Sequence, residues 1–143
     1  MTDSAQSPNR DGTAPMLPGR KAGHLVDLRP KLKLATWNVM TLSDTGYQAA
    51  LVRELTRLNV SIAGITEARL PGNDCYCVDS ALLLHSGGDQ HTNGVAMVVC
   101  SPLDQSLVSW KPISDRLLLA RYKHKHGHLS IVVAYAPIGQ SLT

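Results

Sequence analysis

Three successive patterns of hydrophobic and polar positions predict a strand, a helix and a second strand. From Lys31 to Val39 apolar and polar residues alternate, as expected of a strand entering a sheet. From about Tyr47 to Leu58 apolar residues recur at helical spacing and form one stripe, which is typical of a helix that covers a sheet. The segment from Val60 to Thr66 is apolar nearly throughout and predicts an interior strand with both faces covered. This order of elements indicates an α/β fold.

The rest of the chain predicts five further strands. A loop from Pro71 to Asp74 follows the second strand, and Gly, Asn and Pro residues punctuate what comes after it. One helix and about seven strands are therefore expected in all. The five later strands are predicted at Ser80 to His85, Val95 to Cys100, Ser106 to Trp110, Leu117 to Lys123 and Leu129 to Tyr135.

The first 29 residues differ from the remainder in composition. They are rich in Ser, Pro, Gly, Asp and Arg and show no apolar periodicity, which predicts a flexible leader over residues 1–29. Residues 30–143 are then expected to form a single domain, because a chain of 143 residues leaves little room for two.

Composition narrows the class of protein without identifying a function. The formal net charge of +3 permits contact with a polyanion but is too small to identify one. No apolar run approaches the roughly 18 residues that span a bilayer, so we expect no membrane partner. Three Cys residues, an odd number, favour reduced thiols and an intracellular location, with nucleus and cytoplasm both open.

Only two of the eleven acidic residues are Glu, and their positions differ. Glu54 lies three residues before Arg57 in the predicted helix, which favours an ion pair on the helix surface. Asn38 and Glu67 stand where apolar strands end, and parallel neighbours bring such ends to the edge where α/β sheets place ligands. A carboxylate and an amide suit Mg²⁺, which retains several waters, although two polar strand ends can also simply face a loop.

Four short motifs occur in order along the chain. In this combination the chain resembles the endonuclease/exonuclease/phosphatase family, and within it the endonucleases of LINE retrotransposons. The resemblance covers about Leu32 to Pro137 and implies a DNase I-like fold, with this chain as the first half of a two-sheet α/β sandwich. A second half would cover the inner face of the sheet, so we expect an exposed apolar face or an unpaired edge. The motifs are Thr36-Trp37-Asn38-Val39, Ile65-Thr66-Glu67-Ala68-Arg69, Asn93-Gly94-Val95-Ala96 and Val133-Ala134-Tyr135-Ala136-Pro137.

The resemblance also implies an activity and the residues that perform it. It implies Mg²⁺-dependent hydrolysis of phosphodiesters, with nucleic acid as the favoured substrate. It assigns Asn38 and Glu67 to the metal and phosphate site, and places Tyr135 beside the scissile phosphate. A phenol there can donate to a phosphate oxygen or order the attacking water. The alternative for Tyr135 is a rim aromatic with its hydroxyl in water.

Two motifs of that family do not occur in this chain. They are an Asp-x-Asn strand motif and a C-terminal Ser-Asp-His motif, which supplies the general base. We therefore expect the chain to be inactive or nearly so by itself, because nothing aligns and deprotonates water. The alternatives are a non-catalytic partial domain, which binds nucleic acid, a protein or a second copy through an uncovered sheet face, and a fragmentary remnant.

Other candidates for chemistry have simpler explanations. One candidate is the alternation of His124, His126 and His128, since alternate residues on one strand face can bind a transition metal. However, His126-Gly127 predicts a turn, which favours a solvated basic hairpin. Arg116 either binds substrate phosphate or pairs with Asp115, and the pairing is favoured.

The three Cys residues show no metal-binding pattern. Cys75 and Cys77 lack a second ligand pair at zinc-finger spacing, which predicts ordinary loop or strand thiols. Cys100 ends an apolar strand and is expected in the core.

Overall fold

The computed structural model describes residues 32–136, so the predicted leader lies outside the described residues. The described part has a mixed α/β architecture with one α-helix and two sheets, compatible with part of an α/β sandwich. No helix in this range is long and apolar enough to cross a bilayer. The elements are β1 (Leu34–Asn38), α1 (Thr45–Arg57), β2 (Ile62–Thr66), β3 (Asn73–Val78), β4 (Ala81–Ser86), β5 (Val95–Cys100), a short 3-10 helix (Leu103–Ser106), β6 (Leu107–Ser114), β7 (Leu117–His124) and β8 (Gly127–Ala134).

The first five strands form one sheet in the order β1-β2-β5-β4-β3. β1 and β2 run parallel, because α1 carries the chain back along the sheet between them. The other pairings in this sheet are antiparallel. Every residue of β4 and β5 is buried, which explains why both strands consist of nearly continuous apolar runs in the sequence.

Helix α1 packs on one face of the five-stranded sheet. The Asp44 carboxylate accepts a hydrogen bond of 2.6 Å from the Gly46 amide and so caps the helix N-terminus. Three residues of the predicted apolar stripe, Leu51, Val52 and Leu55, are buried between the helix and β2, β4 and β5. Leu58, which the pattern also assigned to the stripe, is exposed, because the helix ends at Arg57 and Leu58 caps it.

The last three strands form an antiparallel sheet, β6-β7-β8, on the opposite face of the five-stranded sheet. The sheets approach closely at Gly64, where a Cβ atom would lie 3.1 Å from a methyl carbon of Val133. The Tyr122 hydroxyl crosses the interface and donates to the Met97 sulfur at 3.0 Å. Strands β2, β5 and β4 are thus covered on both faces, by α1 and by the second sheet, whereas the edge strand β1 is exposed at four of its five residues.

Strand β3 was not predicted. It begins at Asn73, inside the expected loop, and pairs with β4 through Asn73 to Ser86 and Asp74 to His85. Asn and Asp are depleted in strands and favoured in turns, but pairing along a sheet edge overrides that preference. Cys75 lies in this strand rather than in a loop.

The exposed sheet face also differs from the expectation. Most of the inner face of the five-stranded sheet is covered by the chain's own second sheet instead of being open. The edge strand β1 is uncovered, and Leu34 and Trp37 are exposed on it. The outer face of the three-stranded sheet is also uncovered, with Leu117 and Val132 exposed. Strand β8 pairs only with β7 among the described residues, so the expected unpaired edge is present.

Candidate functional site

The carboxyl ends of β1 and β2 form the edge at which two predicted site residues meet. Asn38 is the last residue of β1 and lies opposite Thr66, the last residue of β2. Glu67 follows directly, so Asn38 and Glu67 stand at the same edge. This is the place where open α/β sheets bind their ligands, because side chains from successive strands converge there.

The backbone around Glu67 follows an uncommon path. Glu67 and Arg69 have φ values of 56° and 55°, in the left-handed region that residues other than Gly seldom occupy. The turn at Asn93 and Gly94 holds this path, since their carbonyls accept hydrogen bonds from the Arg69 amide at 2.8 Å and the Ala68 amide at 3.0 Å. Gly94 has φ of 87°, and a Cβ there would lie 3.2 Å from the Arg69 nitrogen. Such conformations persist only where the surroundings enforce them, so Glu67 is firmly positioned.

Tyr135 reaches Glu67 from the other sheet. It follows β8 directly, and its hydroxyl donates a hydrogen bond of 2.9 Å to Oε1 of Glu67. Its amide donates to the Arg116 carbonyl at 2.9 Å, which ties the end of β8 to the β6–β7 turn. The hydrogen bond to Glu67, followed by desolvation, raises the pKa of the Tyr135 phenol. The phenol therefore stays protonated at neutral pH and acts as a donor.

Arg116 lies near this contact and does not form the predicted ion pair. Its positive charge opposes the rise in the pKa of Tyr135, which places the guanidinium within electrostatic range of the phenol. The Asp115 carboxylate instead accepts a hydrogen bond of 3.1 Å from the Asn93 side chain. The favoured pairing was wrong because Asp115 is already engaged by the turn that holds Glu67. Arg116 remains exposed and able to approach an anion.

Arg69 is a residue of this edge that the sequence analysis missed. It is exposed, and its charge also lowers the pKa of Tyr135, though less than Arg116 does. The sequence did contain a signal for Arg69, because this cation lies two residues after Glu67, the carboxylate at the end of β2. Only the left-handed turn shows that this spacing keeps the guanidinium close to Tyr135.

The donor set at this edge fits a hard cation. Oε1 of Glu67 is engaged by Tyr135, while Oε2 accepts no hydrogen bond from residues 32–136. The Asn38 amide oxygen accepts a hydrogen bond of 3.3 Å from the Met40 amide, and the side chain is exposed. Within the described range no three His, Cys, Asp or Glu side chains assemble as a ligand group. These oxygens therefore suit Mg²⁺ held mainly by water and substrate, not a fully protein-built cage.

The other Glu has the surface role that its spacing predicted. Arg57 donates to Glu54 from Nε at 3.1 Å, and the pair is exposed on α1. This hydrogen bond, followed by the Coulombic attraction of Arg57, holds the pKa of Glu54 below its usual value. Because the chain has two Glu residues, Glu54 provides a matched control for substitutions at Glu67.

The His-rich segment lies far from this edge. β7 and β8 pair as far as His124 and Gly127, so the predicted hairpin is confirmed. His124 Nδ1 accepts a hydrogen bond of 3.2 Å from the His126 amide, which closes the turn. The hairpin turn is at the end of β7 and β8 opposite to Tyr135.

Comparison with known proteins reveals a distant and partial similarity. No family model matches the chain. Craniofacial development protein 2 of Bos taurus is 27% identical over 105 residues, which cover 73% of this chain and 18% of that protein. The protein of the same name from Tragulus javanicus is 26% identical over 105 residues, with the same coverage. The chain thus spans less than a fifth of the length of these curated relatives, and over that part it is similar to craniofacial development protein 2.

Proposed function

We propose that Asn38, Glu67 and Tyr135 belong to a Mg²⁺-dependent site for nucleic-acid phosphodiesters of the endonuclease/exonuclease/phosphatase type. The observation that carries the proposal is the 2.9 Å hydrogen bond from Tyr135 to Glu67. This hydrogen bond joins two of the sequence motifs, and the two residues come from different sheets. It lies at the edge where β1 ends with Asn38, which belongs to a third motif. The occurrence of the four motifs in the order found in that family supports the choice of class.

Each side chain has a role that follows from its chemistry. Oε2 of Glu67 and the amide oxygen of Asn38 are the protein ligands for the cation. When bound, Mg²⁺ acts as a Lewis acid toward the phosphate and offsets its charge. Arg116 and Arg69 bind the anion through charge-assisted hydrogen bonds.

Tyr135 has one proton to donate, and in this structure Glu67 accepts it. A phosphate oxygen that takes this hydrogen bond must therefore replace Oε1 of Glu67 as the acceptor. The ordinary pKa of a phenol is near 10 and the hydrogen bond to Glu67 raises the pKa of Tyr135 further, so Tyr135 is protonated and able to donate at neutral pH. The exchange would also release Oε1, so that neither carboxylate oxygen of Glu67 would accept a hydrogen bond from Tyr135 once substrate is bound.

The proposal separates binding from turnover. The sequence lacks the Ser-Asp-His motif that would supply a general base, and a missing base typically lowers a rate by about 10²- to 10⁴-fold. The proposed function of this chain is therefore to bind metal and phosphate, with hydrolysis near the background rate. Binding can be measured independently of activity.

Terbium luminescence tests the metal site. Tb³⁺ takes hard oxygen ligands, and its emission is sensitised by nearby Tyr and Trp side chains, so titration followed by competition with Mg²⁺ reports the affinity. Glu67→Ala should weaken Tb³⁺ binding by at least about tenfold. The matched control Glu54→Ala should leave the affinity unchanged, because Glu54 is paired on the outside of α1. Equal losses from the two variants would contradict the proposed site.

Plasmid nicking tests the expected low turnover. The chain with Mg²⁺ should convert supercoiled plasmid to the nicked form no faster than Glu67→Ala does. Rapid nicking that Glu67→Ala abolishes would support the site and overturn the claim of low turnover. Rapid nicking that survives Glu67→Ala would contradict the assignment of Glu67.

A further inference from the structure

Positive charge is concentrated in the three-stranded sheet. From residue 107 to 134 the chain has five Lys or Arg residues and a single acid, Asp115. Residues 32–106 contain four Lys or Arg residues and seven Asp or Glu residues. The two parts therefore carry opposite net charges, a separation that the modest charge of the whole chain conceals.

The outward face of this sheet gathers most of these cations. Arg121 and Lys123 are exposed, and they alternate along β7 with residues that are buried against the five-stranded sheet. Arg121 is paired with Ser109 on one side and Ser130 on the other, and Lys123 is paired with His128. The cross-strand neighbours are thus neutral hydroxyls and an imidazole, and none is an acid.

Lys111 extends the same face onto β6. It is exposed and lies opposite Leu119 of β7, one row of side chains from Arg121. We name Lys111, Arg121 and Lys123 the cationic face.

No acidic partner neutralises the cationic face within the described part of the chain. The one ion pair between described residues joins Glu54 to Arg57 on α1. Asp115 is bound to Asn93 at the opposite end of β7. Exposed cations without counter-charges produce a positive potential that attracts and orients polyanions.

Further cations stand at the two ends of β7, although the outward positions between Arg116 and Arg121 are Leu117 and Leu119. Arg116 immediately precedes β7, Arg121 and Lys123 lie within it, and Lys125 stands in the turn that follows it. A strand rises about 3.3 Å per residue, so Arg116 and Lys125 are separated by about 30 Å. A small phosphoester can contact the cation at one end of β7, whereas a nucleic acid, with a phosphate about every 3.4 Å along each strand, is long enough to contact the cations at both ends.

We infer that the cationic face binds the phosphate backbone of a nucleic acid, in a metal-independent contact separate from the edge that holds Glu67. The choice of nucleic acid over other polyanions rests on the proposed function, because Arg116 at one end of β7 belongs to the proposed phosphate site. The positive face itself does not depend on that function. Flanking Ser hydroxyls add hydrogen-bond donors, and contacts of this kind carry no sequence preference.

Fluorescence anisotropy in EDTA tests this inference without metal or turnover. A fluorescein-labelled 20-nucleotide single strand is titrated with the chain between 50 and 200 mM salt. The variant Arg121→Ser/Lys123→Ser should bind at least about tenfold more weakly at 50 mM salt. Its slope of log K against log salt should be shallower by about 1.4, since each phosphate contact on a single strand contributes about 0.7.

A charge-matched control isolates the face from net charge. Arg53→Ser/Arg57→Ser removes two cations from the exposed side of α1 and should change the affinity by less than about twofold. Equal weakening by the two double variants, or an unchanged salt slope, would overturn the inference. Tight binding to vesicles containing phosphatidylserine, with no binding to the labelled strand, would also overturn it.

One further variant separates this inference from the proposed function. Glu67→Ala should bind the labelled strand in EDTA as well as the unmodified chain does. If Tb³⁺ binding fails its own test while DNA binding requires Arg121 and Lys123, the cationic face stands and the metal site falls. The opposite pair of results leaves the metal site and removes the cationic face.

Discussion

The central strands of the two sheets differ in how many of their faces are covered. In the five-stranded sheet, β4 and β5 are buried at every position, because α1 lies on one face and the second sheet on the other. In the three-stranded sheet, β7 alternates between buried and exposed residues, because one face alone is packed. The period of the hydrophobic pattern thus indicates how many faces of a strand are covered.

The difference extends to charge and to function. The five-stranded sheet supplies Asn38 from its exposed edge strand and Glu67 from the strand beside it, and the three-stranded sheet supplies Tyr135 and the cationic face. Packing leaves the outer face of β6–β8 free to carry Lys and Arg, which would be costly on a buried strand. The first sheet therefore provides a fixed ligand edge, and the second provides an open surface beside it.

The largest expected effect on stability distinguishes two adjacent leucines of β7. Leu118 points into the core between the sheets and is 0% exposed, whereas Leu117 points outward and is 36% exposed. Leu118→Ala should lower the free energy of unfolding by about 2–5 kcal/mol, because it leaves a cavity. Leu117→Ala should lower it by about 0.5 kcal/mol or less, as is usual for surface positions. Urea denaturation of both variants measures the difference.

Similar losses from the two leucine substitutions would break the comparison. They would mean that another molecule covers the outer face of the three-stranded sheet in solution. Self-association of the chain through this face would have that effect. Sedimentation velocity distinguishes the cases, because burial by a second copy makes stability depend on protein concentration. Association through this face stays a prediction until that measurement is made.

Much of the fold follows from local sequence, and the assembly of the sheets does not. The helix and seven of the eight strands were predicted because their apolar patterns are clear. Strand β3 was missed, because Asn73 and Asp74 favour turns and only the pairing with β4 makes them extended. The division into two sheets depends on which strands pair across long sequence separations, and no local pattern determines that.

The candidate site was also predictable only in part, because some of its residues are brought together by pairing that the sequence indicates and others are not. Asn38 and Glu67 were brought together by the parallel pairing of consecutive strands, which the strand-helix-strand order suggested. Tyr135 entered through the family resemblance, since 68 positions separate it from Glu67. The nearness of Arg69 depends on a left-handed backbone that the sequence does not indicate.

A smaller effect is expected from the helix that covers the five-stranded sheet. Asp44→Ala removes the side chain that caps α1 and should cost about 1 kcal/mol in the free energy of unfolding. Thr45→Ala is a suitable control, because Thr45 is the next residue and begins the helix, but the side chain that caps the helix belongs to Asp44. If Asp44→Ala were neutral, α1 would not need its cap, and packing against the sheet would suffice to hold it. Thermal unfolding followed by circular dichroism measures both variants.

The smallest effect concerns a polar group buried within the five-stranded sheet. His85 in β4 is 5% exposed, its Nδ1 lies 3.0 Å from the Gly72 carbonyl, and its ring meets Tyr76 edge-on. Burial lowers the pKa of His85, while the nearby charge of Asp74 and the Gly72 carbonyl partly oppose that shift. The folded protein therefore prefers the neutral imidazole.

A lowered pKa in the folded state makes stability fall as the pH falls. Above the ordinary value of 6.5 the imidazole is neutral in both states, so its contribution is fully present. As the pH falls below 6.5 the unfolded chain binds the proton first, and the free energy of unfolding decreases until folded His85 is protonated as well. His85→Gln should remove this decrease, so the stability difference between His85→Gln and the unmodified chain should change between pH 7 and 5. A difference independent of pH would show that His85 can take a proton without leaving the core, which would make this sheet less tightly sealed than its buried strands indicate.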